Sequence, residues 1–189
     1  CTVATITLTM ASSSDVNRAL EACGYSSVGG DLAGIIASGV NRATGSDRNE
    51  AAMFTAQLIH ESGGFQFREE RGGANQHYTP YHGRGFIQLT HDYNYRPASQ
   101  DLYGDDRLMR DPGLVSRDAR TSMDVSVWFW QKNVRDRGGP SQNNFGLTTK
   151  AINGGIESSS SHPSAVKRYK HYRAIASAWG INNVAINQY

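Results

Sequence analysis

The stretch from Ala52 to Arg71, AMFTAQLIHESGGFQFREER, constrains this chain most, because an apolar helical run ends there in a glycine pair and leads straight into a second acidic segment. Asp47 is placed to cap a helix, Glu50 follows three residues on, and Met53, Phe54, Leu58 and Ile59 then recur at helical spacing. Gly63 and Gly64 predict its end. Glu61 therefore falls in the last turn, where the negative helix end and the apolar neighbours Ile59 and Phe65 disfavour an ionised carboxylate. Glu70 lies beyond the turn between Arg68 and Arg71, whose cations favour its charge. Two carboxyl groups pushed to opposite protonation states suit acid and base cleavage of a glycosidic bond. The competing reading is a pair of surface carboxylates near a helix end, which for any two glutamates is the commoner case.

Length and charge narrow the field. A chain of 189 residues with 38% hydrophobic content suits one domain, 1–189, with a sizeable core. Its 19 Lys and Arg face 17 Asp and Glu with no block of one sign, so neither a nucleic-acid nor an anionic-membrane partner is indicated, and a neutral polymer fits better. No apolar run reaches the length of a membrane span and no signal-peptide core is present, so a chain beginning at Cys1 is expected to be the mature form of a secreted protein. Cys1 and Cys23 could close a disulfide contributing about 3 kcal/mol, or stay as two unpaired thiols. Two cysteines exclude both a disulfide-built scaffold and a Cys-rich zinc site.

The remaining elements follow from periodicity and punctuation. Thr2 to Met10 alternates polar and apolar residues, the period of a half-buried strand or extended lead-in. Helices are expected from Ser13 or Ser14 to Ala22, from Leu32 to Arg42, within Pro97 to Leu108, from Asp118 to Val134 as the longest, from Leu147 to Ile152, and from Pro163 to Trp179. Phe86 to Leu89 reads as a short strand or tight connection. The fold class is mainly α, with short extended pieces (α+β).

Several side chains are candidates for chemistry. His60 could orient Glu61 by hydrogen bonding, or be an ordinary half-buried histidine. His77, His82 and His91 match no short ligand spacing, so neither a metal nor a cofactor is expected. Thr90, Asn94 and Asn153 are polar groups suited to holding water or an acetamido sugar, although each alone is more often a turn residue. Tyr78, Tyr81, Tyr93 and Tyr95 could stack on sugar rings. Trp128 and Trp130 lie about 200° apart on a helix, so at least one belongs to the core. Arg168 could neutralise a carboxylate in a cleft, or be solvated.

Taken in order, HESGGF from His60, REERG from Arg68, YHGRGFIQLTHDYNY from Tyr81, SVWFW from Ser126, TTKAINGGIE from Thr148 and VKRYKHY from Val166 resemble glycoside hydrolase family 19, the plant-type and bacterial chitinases with related endolysins. The resemblance spans about Ala51 to Tyr172. It implies a lysozyme-like, two-lobed helical fold with a central substrate cleft, and an inverting endo-hydrolase of chitin or chito-oligosaccharides, monomeric and extracellular. It makes Glu61 the general acid and Glu70, rather than Glu69, the general base. Thr90 matches the hydroxyl that positions the attacking water. Gln88, Tyr93 and Asn94 match sugar-contacting positions, and Asn153 matches the Asn that holds an acetamido group; His60 and Tyr81 are expected beside the substrate on the reading of their side chains given above. Glu157 and Arg168 match a charged network that supports the base. Asp124 stands where many chitinases carry Lys, and Phe86 where they carry Pro, which brings GRGFIQLT closer to endolysins. A peptidoglycan-cleaving enzyme, or a catalytically silent chitin-binding defence protein, are the alternatives.

Overall fold

A computed structural model describes residues 10–189. Nine α-helices occur among the described residues: α1 Ser13–Ala22, α2 Gly30–Thr44, α3 Arg48–Ser62, α4 Asp92–Tyr103, α5 Arg107–Arg110, α6 Leu114–Arg117, α7 Ala119–Phe129, α8 Phe145–Asn153 and α9 Pro163–Ala178. The starts of α1 and α3 follow from local chemistry. Ser12 Oγ accepts from Asp15 N at 3.1 Å while Asp15 accepts from Ser12 N at 3.0 Å, a reciprocal cap. Asp47 Oδ1 accepts from Glu50 N at 2.9 Å. Gly63 ends α3 at φ +58°, and a Cβ there would lie 2.8 Å from the Phe67 ring, so the stop requires glycine twice over.

α3 is the central helix. Ala51 to Ile59 are all buried, polar Thr55 and Gln57 included, because α9 packs along it and α2 and α8 also press on it. Trp130 fills the space beyond Phe54, with ring centroids 4.8 Å apart, and its Nε1 donates to buried Glu50 at 2.9 Å. Phe145 of α8 stacks on Tyr172 of α9 at 4.9 Å, which fixes α8 against the same core.

The structure departs from the sequence expectations in physical ways. The segment expected as one helix to Val134 divides at Trp130, where five residues form a π-helical turn, and α9, at 16 residues, is the longest helix. Trp128 and Trp130 are both buried, with Trp128 Nε1 on Asp101 at 2.8 Å. α4 begins at Asp92, so Pro97 sits inside the helix rather than near its start. Phe86 to Leu89 is a tight connection closed by the bridge Arg84 to Leu89, and no strand longer than an isolated bridge occurs among the described residues. The expected lead-in strand lies, apart from exposed Met10, outside the described residues. So does any pairing of Cys1. Cys23 Sγ donates to His171 O at 3.6 Å, and burial pushes its thiol up to about 12. No described helix is long and apolar enough to cross a membrane.

Candidate active site

The last turn of α3 delivers Glu61 to a cleft of about 560 Å³. That cleft is lined by Tyr78, Gln88, Thr90, His91, Tyr93 and Asn94 from the loop and the start of α4, by Phe129 at the end of α7, and by the segment 150–156. Gln88 and His91 hold φ values of +55° and +72°, unusual for residues with a side chain. This strain flanks Thr90 on both sides and sets how the loop presents it.

Behind Glu61 lies a buried charge trio. Arg168, 1% exposed, reaches Glu157 through Nε at 3.0 and 3.1 Å and through Nη2 at 2.7 Å, while Nη1 donates to Gln57 Oε1 at 2.9 Å and meets Glu61 Oε1 at 2.6 Å. One guanidinium thus serves two carboxyl groups. Burial disfavours the charge of Glu157, but hydrogen bonds from Arg168 and Asn153 outweigh it and hold that carboxyl below its usual range. Burial pushes the Glu61 carboxyl upward against the pull of Arg168, and the nearby Glu157 charge adds to the rise. The trio is neutral when one proton is held, and of its two carboxyl groups Glu61 is the one whose surroundings favour that proton. Gln57, which the sequence did not flag, locks the far side through Thr148 Oγ1 at 2.9 Å and Thr149 Oγ1 at 3.0 Å.

Neighbouring Glu69 and Glu70 take opposite directions. Glu69 pairs antiparallel with Arg84, and its side chain accepts from His82 Nε2 at 2.8 Å, Arg84 Nε at 3.2 Å and Ser116 Oγ at 3.2 Å. Those partners, His82 first, hold its carboxyl below the usual range. Glu70 instead accepts from the Tyr78 hydroxyl at 2.9 Å and from Gly83 N at 3.0 Å. The expected pairing with Arg68 and Arg71 is absent: neither makes an ion pair with Glu70 among the described residues, and Arg71 lies over the Phe67 ring at 4.7 Å. Since Tyr78 lines the cleft, its hydroxyl ties Glu70 to the cleft wall.

Of the residues singled out from sequence, Glu61, Tyr78, Gln88, Thr90, His91, Tyr93, Asn94 and Asn153 line the cleft, while Glu70 is not among its lining residues and meets it through the Tyr78 hydroxyl. His60 does not line it; its ring faces His171 at 5.9 Å, its Nδ1 is buried without a hydrogen bond, and burial followed by Arg168 pulls it down to about 3. Tyr81 is also set back, packed on Tyr95 at 5.4 Å with its hydroxyl on Met109 O at 3.3 Å. Glu157 and Arg168 connect to the candidate acid, whereas the resemblance expects them to support the base. Asp124 is engaged with Arg42 at 2.6 Å in a separate recess. Sequence reasoning missed Gln57 and Phe129; for Phe129 the available signal was its place between two buried tryptophans, which turns it to the other side of α7. Among the described residues no cluster of three or more His, Cys, Asp or Glu could hold a metal, and His77 and His91 pack against Tyr78.

Fold and site together define a mainly helical, lysozyme-like domain with a carboxyl-bearing cleft. A family model described as chitinase class I of glycoside hydrolase family 19 matches residues 61–141. Chitinase 5 of Oryza sativa subsp. japonica is 33% identical over 156 residues, covering 75% of this chain and 52% of that protein. Chitinase C of Streptomyces griseus has the same fold, with a TM-score of 0.74 at 22% identity over 99% of this chain and 100% of that one. A bacterial family 19 chitinase structure aligns with a TM-score of 0.64 at 26% identity, over 93% of this chain and 90% of that one. The chain belongs to glycoside hydrolase family 19. It spans about half the length of the curated relatives it matches.

Proposed function

We propose that this chain is an endo-acting, inverting glycoside hydrolase that cleaves β-1,4 linkages in chitin or chito-oligosaccharides, working as an extracellular monomer without a cofactor. The observation that carries the reading is the shared cation: Arg168 bonds both carboxyl groups, with Glu157 held below its usual range and Glu61, at the cleft, pushed above it by burial. Glu61 gives that proton to the glycosidic oxygen as the bond to C1 breaks. Glu70 takes a proton from a water whose oxygen bonds C1 from the opposite face, so no covalent intermediate forms. Thr90 Oγ1 donates its own hydrogen to Gln88 O at 2.9 Å, which leaves its lone pairs as acceptors for that same water. Both carboxyl groups then return to their starting states by exchange with solvent. Gln88, Tyr93, Asn94 and Asn153 line the path of the sugar chain.

A second reading, peptidoglycan as substrate, is favoured by one feature. A recess of about 380 Å³ adjoins the cleft through Lys150, Ala151 and Gly154 and adds Arg137, and neither cation forms an ion pair among the described residues. Two cations without ion pairs suit a glycan that bears carboxylates, whereas neutral chitin would use them only as hydrogen-bond donors. Rates on a chitin hexamer and on purified cell walls, each with the parent chain and Glu61→Gln, test both readings. Chitin cleavage lost in Glu61→Gln with oligosaccharide binding retained supports the proposal; cleavage of cell walls alone supports the second reading; tight binding without turnover in the parent chain supports a silent binding protein.

A further inference from the structure

The cleft wall holds a tyrosine that the mechanism above does not use. Tyr78 donates to Glu70 Oε1 at 2.9 Å while Gly83 N takes Oε2 at 3.0 Å, so the two oxygens of one carboxylate are gripped by separate anchors. A carboxylate offers about four acceptor directions, so two remain for other donors. The backbone anchor runs close to its neighbours: a Cβ on Gly83 would stand 2.9 Å from Gln88 Oε1 and 3.4 Å from Glu70 Oε2. The Tyr78 ring is itself fixed, edge-on to His77 and to His91 with centroids 4.9 Å away in both cases. Burial and then the Glu70 bond hold its phenol above the usual range, so it remains a donor throughout the neutral range.

We propose that Tyr78 is the positioning residue for the base, fixing the orientation of the Glu70 carboxylate at the cleft wall and acting through Glu70 rather than by gripping sugar. The inference rests on the reading of Glu70 as the base. The other ionisable groups around it are committed elsewhere. His82 and Arg84 are held on Glu69, Tyr95 donates to His82 O at 2.8 Å, Arg71 lies on Phe67, and His77 and His91 pack on the Tyr78 ring. Tyr78 is therefore the side-chain donor to Glu70 among the described residues. Its ring, edge-on to two imidazoles, is less suited to a sugar platform than Tyr93, which is 67% exposed.

The test uses four proteins: the parent chain, Tyr78→Phe, Glu70→Gln and the double variant, assayed on a soluble chitin oligomer. Phenylalanine keeps the ring and its packing and removes only the hydroxyl. Tyr78→Phe is expected to lower kcat about ten-fold with KM within about two-fold, because the carboxylate loses the donor that holds its orientation. In the Glu70→Gln background the same change is expected to leave oligosaccharide affinity unaltered, which also reports that the fold is intact. A kcat within about two-fold of the parent, or a raised KM with weaker binding in the Glu70→Gln background, overturns the inference and makes Tyr78 a wall or sugar contact. Substantial turnover by Glu70→Gln itself would instead remove Glu70 as the base, a failure of the underlying reading that the single variant reveals separately.

Discussion

Replacing Arg168 with Met tests the buried trio behind Glu61. Methionine keeps the aliphatic bulk and deletes a guanidinium that is 1% exposed and bonded to Glu157, Glu61 and Gln57. Glu157, also 1% exposed, is then left with Asn153 as its side-chain donor and no cation. Removing one partner of a buried pair costs roughly 3–5 kcal/mol, most of it the penalty of stranding the remaining charge. With a urea m-value of about 2 kcal/mol per molar, the midpoint falls by roughly 1.5–2.5 M at pH 7. The pH dependence supplies a sign. Carboxyl groups buried without a cation have folded pKa values above their unfolded ones, so the variant's deficit is small below the ordinary carboxylate range and grows as pH rises through it. Relative to the parent, Arg168→Met should therefore lose less at pH 4 than at pH 7, and adding Glu157→Gln should recover part of the loss. A deficit under about 1 kcal/mol at pH 7, or one that grows on acidification, would refute the reasoning.

Further predictions concern stability away from the cleft. Burial opposes the charge of Asp15, but hydrogen bonds from Arg48, the Ser12 backbone and Arg18 outweigh it and hold its carboxyl down to about 2 from 3.8. Because Arg18 is 51% exposed, the stabilisation is discounted to about 1–2 kcal/mol, present above pH 4 and lost as pH falls toward 2. Asp15→Asn should remove it, read as a urea midpoint that no longer falls across that window. His171 is held down to about 4 from 6.5 by burial, with Lys167 and Arg168 adding to the effect. The unfolded chain binds the extra proton between those values, so stability falls as pH drops from 6.5 toward 4, and His171→Gln should flatten that slope by about 1–3 kcal/mol in thermal or urea unfolding. Gly63→Ala, at a left-handed position where the new Cβ meets Phe67, should cost about 1–2 kcal/mol in the same measurements.

Where structure is decided within a few residues, the sequence announced it. Asp47 and Gly63 bound α3 as their chemistry predicts, which puts Glu61 at a helix end, whereas the Glu50 carboxylate turns inward to Trp130 and Arg135 instead of closing the cap. Elements decided by tertiary contact were less legible. The break at Trp130 comes where its indole is drawn into the core onto Phe54 and Glu50, and helical periodicity carries no sign of it. The sign of the Glu61 environment was right but its cause incomplete, since Arg168 and Glu157 come from distant segments and oppose each other there. For Glu70 the adjacent arginines supply no ion pair among the described residues: Arg71 lies over the Phe67 ring, and the partners come from Tyr78 and the Gly83 backbone instead. The choice of Glu70 over Glu69 came from resemblance, and the structure adds a physical reason, because Glu69 is occupied by His82, Arg84 and Ser116.

The central claim is that a proton-bearing Glu61 and a water-activating Glu70 act together on one sugar in one displacement. The most direct test is the anomeric form of the first products released from a chitin hexamer, followed by proton NMR before mutarotation equilibrates them. An initial excess of the α-anomer is the result the account requires. An initial excess of the β-anomer would mean two displacements through a glycosyl intermediate, and would contradict it.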